Sequence, residues 1–228
     1  MKIQLLDKFC IIINPYLLSR ISKLLFSIQE FNLGYDYDIC LVHNKFETKV
    51  KNTSSRLKNE IDELSVYLYK QTTKNINYSL IERENIGETH GAFRIGYLLN
   101  RNLYKYYFFI QEKSRILKGN FLKEYANLFD SNLNIGLICP HIGAGHIYPY
   151  AIKSSFFCIK NEINLLGWKE PKTRAEVELQ EMEFFYPYIK NLGYDCMQYG
   201  SGKEYMAYFD DDGNINAFNP IASTTFIC

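Results

Sequence analysis

Charge of one sign, tryptophan, closely paired cysteines and long apolar runs are all scarce in this 228-residue chain, and each scarcity excludes something. Net charge is only +1, from 26 basic and 25 acidic residues mixed along the sequence. A nucleic-acid binder shows a basic excess or stripe, so nucleic acid is not an expected partner. The six cysteines, Cys10, Cys40, Cys139, Cys158, Cys196 and Cys228, contain no pair with metal-binding or redox spacing. Five of them fall in apolar runs, where a cysteine serves as a small hydrophobe in a reducing compartment. No apolar run approaches the ~20 residues that a membrane-spanning helix needs. The opening MKIQLLDKFCIIINP places Asp7 and Lys8 where a secretion signal would be apolar, so a cytoplasmic location is expected, with peripheral membrane association left open.

What is present is an alternation of two periodicities. Hydrophobic residues make up 47% of the chain, enough for a sizeable core. KFCIIIN (8–14), YDICLVHN (37–44), INYSLIERENIG (76–87), YKYYFFI (104–110) and NIGLICP (134–140) read as strands. Between them lie stretches with helical spacing. Leu17, Leu18, Ile21, Leu24, Leu25 and Ile28 form one apolar face, and Leu57, Ile61, Leu64 and Leu68 another. THGAFRIGYLLNRN and GNFLKEYANLFDSN complete the series. Strand–helix alternation predicts an α/β fold with a doubly wound, mainly parallel sheet.

After Pro140 the pattern changes. A Gly-rich loop, HIGAGH, precedes a strand at 155–159 and a short helix ending near Gly167. TRAEVELQEMEFFYPYIKNLG predicts a helix broken or ended near Pro187, and YDCMQYG a further strand. EYMAYFDDDGNINAF predicts a hairpin turning over Asp211 to Asn214, making a small antiparallel C-terminal part. With no repeat, low-complexity tract or linker, residues 1–228 are expected to form one domain, with 1–140 as a binding half and 141–228 as the second half.

The carboxyl ends of the first four strands carry polar residues: Asn14-Pro15-Tyr16, His43-Asn44-Lys45, Arg83-Glu84-Asn85 with Gly87, and Gln111-Glu112-Lys113-Ser114. Such an edge is where open α/β sheets hold ligands. Gly87 and Gly91, at the start of a helix, are expected to let the backbone approach a ligand, and the helix N-terminus favours an anion.

The order FCIIINPY, LLFSIQEF, YDICLVHN, ENIGETHGAFRIGYLL and YYFFIQEKSRILKGNFL resembles family-2-type nucleotide-sugar glycosyltransferases of the GT-A fold. SSFFCIKNEINLLGW and AEVELQEMEFFYPYIKNLGYDCMQYG extend the resemblance to the late acidic helix and the strand after it. It implies transfer of a sugar from a nucleotide-diphosphate donor to a glycan, lipid-linked or protein acceptor, as in polysaccharide or glycoconjugate synthesis, with inversion at the sugar. It further implies that Asn14, Pro15, Tyr16, His43, Asn44, Arg83, Asn85, Gly87, Gln111 and Glu112 hold the donor.

The family's fourth strand ends in Asp-x-Asp, whose carboxylates hold a divalent metal on the donor's diphosphate. Here Gln111, Glu112 and Lys113 stand in that place. Three readings follow. Lys113 replaces the metal as a fixed cation. Alternatively, Glu112 still holds Mn²⁺ or Mg²⁺, joined by His141 or His146 from the following loop. Or the protein binds nucleotide sugar or glycan without catalysing transfer. A sugar-nucleotide-forming nucleotidyltransferase is disfavoured, because NPYLLSRIS lacks the Gly- and Lys/Arg-rich loop it would need after the first strand.

The resemblance places the catalytic base, which takes the acceptor hydroxyl's proton, at Glu176, with Glu178 second. Thr173-Arg174-Ala175-Glu176 is also a capping box, which accounts for Glu176 without chemistry. FDDDGN lacks the terminal Glu of a calcium loop and reads as a turn. Trp168, just before the acidic helix, is expected to stack on an acceptor sugar.

Overall fold

The computed structural model describes residues 4–15, 18–45, 76–112, 114–139, 142–143, 151–152, 156–199, 206–209, 215–216 and 226–227. The amphipathic stretch 53–70, the tips of HIGAGH and the 210–214 turn lie outside the described residues.

Strands β1 (Leu6–Asn14), β2 (Tyr37–Lys45), β3 (Tyr78–Glu84) and β4 (Tyr104–Gln111) come from the apolar, β-branched and aromatic runs read from the sequence. Helix α1 (Leu18–Glu30) follows β1, α2 (Glu88–Asn100) follows β3, and α3 (Phe121–Ser131) follows a three-residue strand β5 (Ser114–Ile116). Next come β6 (Ile135–Cys139), the pair β7 (Ile142–Gly143) and β8 (Ala151–Ile152), and β9 (Phe156–Lys160). A single 3₁₀ turn (Leu165–Gly167) leads to α4 (Arg174–Glu183), α5 (Phe185–Asn191) and β10 (Asp195–Gln198). The short strands β11 (Met206–Phe209), β12 (Ile215–Asn216) and β13 (Phe226–Ile227) complete the described elements.

The main sheet has eight strands in the order β13-β10-β6-β9-β4-β1-β2-β3. Pairing is parallel across β4-β1-β2-β3 and between β6 and β10. The expected run of consecutive parallel strands is interrupted: β9 inserts antiparallel between β4 and β6, and β13 pairs antiparallel with β10. The expected C-terminal hairpin is present, with Phe209 opposite Ile215, and β11 also pairs with β5 in a separate three-stranded sheet. The helix break falls at Phe184, three residues before Pro187. A proline ring clashes with the carbonyl four residues upstream but is tolerated in a first helical turn, so the discontinuity lies on its N-terminal side.

Strict alternation divides the core between two faces. Phe9, Ile11, Ile13, Ile39, Leu41 and Phe108 pack with Leu24, Ile28, Phe121 and Tyr125 on one side. Cys10, Ile12, Cys40, Val42 and Phe109 pack with Phe93, Trp168, Phe185 and Ile189 on the other. Cys10, Cys40, Cys139, Cys158 and Cys196 are buried free thiols, as expected of small hydrophobes. Gly96 lets α2 lie on the sheet, since a Cβ there would stand 2.5 Å from Ile12 Cγ2.

The amino-terminal edge of the sheet is tied up by a structural network. The buried carboxylate of Asp38 accepts from Lys8 Nζ at 3.1 Å, Tyr104 Oη at 3.0 Å and the Asn77 backbone N–H at 3.0 Å. Among the described residues no helix is long and apolar enough to cross a membrane.

The tyrosine content has a thermodynamic consequence. Burial pushes the hydroxyls of Tyr37, Tyr104, Tyr106 and Tyr107 above the ordinary tyrosine value, with Asp130 adding to the shift at Tyr106. Burial also raises Tyr78, to about 12. A raised native value means that the unfolded chain ionises first. Stability from these groups is therefore fully present below about pH 10 and declines as pH rises through the native values. Denaturant midpoints should stay level up to about pH 9 and fall above about pH 10, with tyrosinate absorbance appearing together with unfolding.

Candidate functional site

The parallel registers bring the polar strand ends to one edge. Asn14 on β1 lies opposite Gln111 on β4, and Asn44 on β2 lies opposite Arg83 on β3. Their individual roles differ. Asn14 is buried, and its Nδ2 donates to the Val42 carbonyl at 2.9 Å, fastening β1 to β2. Pro15 is buried beside it. His43 is also buried, but alternation puts it on the face of Ile39 and Leu41, opposite that of Asn44. The expected single crevice is thus divided between two faces of the sheet.

Asn44 and Arg83 sit against the first turn of α2. Asn44 Nδ2 donates to the Glu88 carbonyl at 2.8 Å, which fixes the amide's orientation. Its Oδ1 is then an acceptor only, buried and without a hydrogen-bond partner. Arg83 Nη2 donates to the Glu170 carboxylate, while Arg83 Nη1 is buried without a partner. Burial pushes the Arg83 guanidinium below its ordinary value, and Glu170 opposes that shift. A buried donor and a buried acceptor on neighbouring strands are left unsatisfied, an uncommon state for a folded protein.

The glycines here admit the chain's own backbone, which corrects the expectation that they serve ligand approach. Gly87, the N-cap of α2, has φ +71°, and a Cβ there would overlap the Pro171 carbonyl. A Cβ on Gly91 would overlap the Ile86 carbonyl and Arg83 Nη1. Asn85, between Arg83 and this turn, is exposed.

At the end of β4, Gln111 is half-buried and Glu112 buried. Ser114 Oγ is buried and has no hydrogen-bond partner, and Arg115 donates to the backbone carbonyls of Glu112 and Ser114 at 3.0 and 2.6 Å. Lys113, Tyr16, His141 and His146 lie outside the described residues. Among the described residues no group of three His, Cys, Asp or Glu side chains gathers where a metal ion would be held. A single carboxylate, Glu112, is a poor match for a hard cation that takes six or more oxygens.

The segment from Trp168 to Arg174 crosses the β3–α2 turn. Trp168 is fully buried, packed edge-on against His90, Phe109 and Phe185, and its Nε1–H donates to Gln180 Oε1 at 3.0 Å. It is a core residue and not the sugar platform expected from its position. Its carbonyl accepts from Arg94 Nε at 2.5 Å, and Gln180 Nε2 donates to the Lys169 carbonyl at 2.7 Å. His90 Nδ1 lies 3.3 Å from Gln180 Oε1. Arg174 pairs with Glu88 at 2.8 Å.

The capping box at α4 is realised. Thr173 Oγ1 accepts from the Glu176 N–H at 3.2 Å, and the Glu176 carboxylate accepts from the Lys172 N–H at 2.6 Å. Glu176 stays exposed at the helix start, while the side chain of Glu178 lies outside the described residues. Periodicity gave no warning of Glu170, Arg94 or Gln180, whose partners lie far away in sequence. The one local signal was the i, i+4 spacing of Gly87 and Gly91, which marks a close approach on one helix face.

No family model matches the chain, and no curated protein sequence matches it. Solved structures do. The mannosyltransferase PcManGT from Pyrobaculum calidifontis, in complex with GDP-Man and Mn²⁺, is similar with a TM-score of 0.57 at 12% identity, over 83% of this chain and 53% of that one. S. aureus TarS is similar at 0.49 and 14% identity, over 87% of this chain and 36% of that one. TarS 1–349 in complex with UDP gives 0.46 and 12%, over 82% and 55%. This chain therefore spans between 36% and 55% of the length of these proteins. The likeness to the mannosyltransferase shows a shared α/β fold with a mostly parallel sheet.

Gly87→Ala should destabilise the protein by about 2 kcal/mol or more, because a left-handed residue gains a Cβ that also strikes the Pro171 carbonyl. Urea denaturation of the variant checks this.

Proposed function

We propose that this chain is a glycosyltransferase that takes a sugar from a nucleotide-diphosphate donor and passes it to an acceptor hydroxyl with inversion. The observation that carries this reading is the unsatisfied pair at the β2–β3 edge, Asn44 Oδ1 and Arg83 Nη1. Asn44 and Arg83 are register partners at the ends of β2 and β3, so one unsatisfied acceptor and one unsatisfied donor belong to neighbouring strand ends. The common bases all present a donor next to an acceptor on their pairing edge, so the two groups fit a nucleobase edge without choosing among bases. A buried polar site of this kind rejects a ligand with the wrong pattern strongly, because its groups stay unpaired.

In this reading Asn14, Pro15, Tyr16 and Asn85 shape the nucleoside side of the edge, Gly87 shapes its turn, and His43 lies outside it on the opposite face of the sheet. Gln111 and Glu112 hold the diphosphate region. Lys113 supplies a fixed positive charge that stabilises the leaving diphosphate. Glu176 accepts the acceptor hydroxyl's proton as the oxygen attacks the anomeric carbon and the bond to the diphosphate breaks on the opposite side. General-base assistance of this kind contributes about 10²- to 10⁴-fold. Glu176 is suited to it by exposure at a helix start, and Glu178 on the same helix is the second choice. A divalent ion, held by Glu112 with His146, would supply the same neutralisation as Lys113, so metal dependence separates these two arrangements.

The replacement of Asp-x-Asp by Gln111-Glu112-Lys113 favours a second reading, a binding protein of the same fold without turnover. A thermal-shift panel decides the donor class: the one among UDP, dTDP, GDP and CDP that raises the melting temperature most identifies the nucleotide. A shift that is unchanged in Asn44→Ala and Arg83→Ala would remove the role assigned to Asn44 and Arg83. Turnover of the matching sugar nucleotide, measured with and without EDTA, should persist under chelation and be lost in Lys113→Ala. Binding without turnover leaves the second reading standing.

Glu176→Gln should lower turnover by about 10²-fold or more while leaving nucleotide affinity within about twofold of wild type. Steady-state kinetics with nucleotide titration checks it, and full activity in that variant would remove Glu176 from the base role.

A further inference from the structure

The segment over the β3–α2 turn carries an inference that rests on the donor and base reading above. We propose that Glu170 is a positioning residue coupling the donor edge to the helix that bears Glu176. A continuous series of contacts joins the two. Arg83, at the donor edge, pairs with Glu170. The next residue, Pro171, lies on Gly87. Lys172 then donates its N–H to the Glu176 carboxylate, and Thr173 caps α4.

The ion pair is shielded on the arginine side, with side-chain exposures of 12% for Arg83 and 32% for Glu170. Glu170 therefore selects one rotamer of a long, flexible side chain by engaging Nη2, and leaves Nη1 buried without a partner. The same carboxylate anchors the segment that delivers Glu176. Arg94 and Gln180 hold the segment at the Trp168 and Lys169 carbonyls, so Glu170 is the member of the set that touches the donor edge itself. Arg174–Glu88, with exposures of 67% and 43%, is a surface pair and contributes little by comparison.

Two effects follow from one removal. Glu170→Ala frees Arg83 and so weakens nucleotide binding, and it loosens the start of α4 and so lowers turnover. Because Glu170 acts on the nucleotide through Arg83, its loss and that of Arg83 are not independent.

The test compares Glu170→Ala, Glu170→Asp, Arg83→Ala, the double variant Arg83→Ala/Glu170→Ala and Arg174→Ala, all at a temperature where each is folded. UDP and GDP titrations should show Glu170→Ala and Arg83→Ala each weaker by about tenfold, and the double variant within roughly threefold of either single. Glu170→Asp should recover part of the affinity, and kcat should fall with KM rising in Glu170→Ala. Wild-type affinity in Glu170→Ala, or losses that multiply in the double variant, overturns the proposal.

Trp168, the single tryptophan, provides a readout that needs no ligand. Acrylamide quenching of its emission should increase by about twofold in Glu170→Ala and Arg83→Ala but stay unchanged in Arg174→Ala. Unchanged quenching in the first two overturns the coupling. If wild-type protein binds neither UDP nor GDP, the donor reading fails, and the quenching result alone decides the role of Glu170.

Discussion

A guanidinium held under the first turn of a helix cannot be left without a counter-charge. Arg83 is in that position, and the charge that meets it arrives on Glu170, from a segment 87 residues further along the chain. An unpaired buried charge would cost several kcal/mol, so this segment is obliged to cross the β3–α2 turn at close range. Close range in turn requires that position 87 carry no side chain, because a Cβ there would collide with Pro171, while a Cβ at position 91 would collide with the Ile86 carbonyl and with Arg83 itself. The guanidinium therefore accounts for one neighbour of each glycine: the segment that brings its counter-charge lies on Gly87, and its own Nη1 lies against Gly91.

The two ends of the sheet handle their polar groups differently. At the amino-terminal edge Asp38 gathers donors from Lys8, Tyr104 and Asn77. A carboxylate bonded in this way rigidifies the strand starts and offers nothing to a ligand. At the carboxyl-terminal edge Asn44 Oδ1, Arg83 Nη1 and Ser114 Oγ are buried without hydrogen-bond partners. Unsatisfied buried groups are tolerated where binding supplies what the chain does not. The contrast between a closed edge and an open one is the physical ground on which the proposed site rests.

Buried aromatic residues set the opposite constraint. Trp168 packs with Phe109, Phe157 and Phe185, and its one polar atom is satisfied by Gln180. That satisfied hydrogen bond lets an indole sit in the interior and denies it to a sugar. Gln180 thereby ties the segment to α4 from within, while Glu170 ties it to Arg83 at the end of β3 from without.

Local order alone determined the strands β1 to β4, the helices between them and the cap at α4. Each of those depends on neighbours within a few residues: alternation along a strand, a 3.6-residue repeat, or a threonine three positions before a glutamate. Tertiary structure decided the insertion of β9 between β4 and β6, the burial of Trp168 and the pairing of Arg83 with Glu170. Strand partners and ion pairs are chosen by which surfaces meet after the chain has folded back on itself. Nothing in a residue's immediate neighbours records a partner tens of residues away.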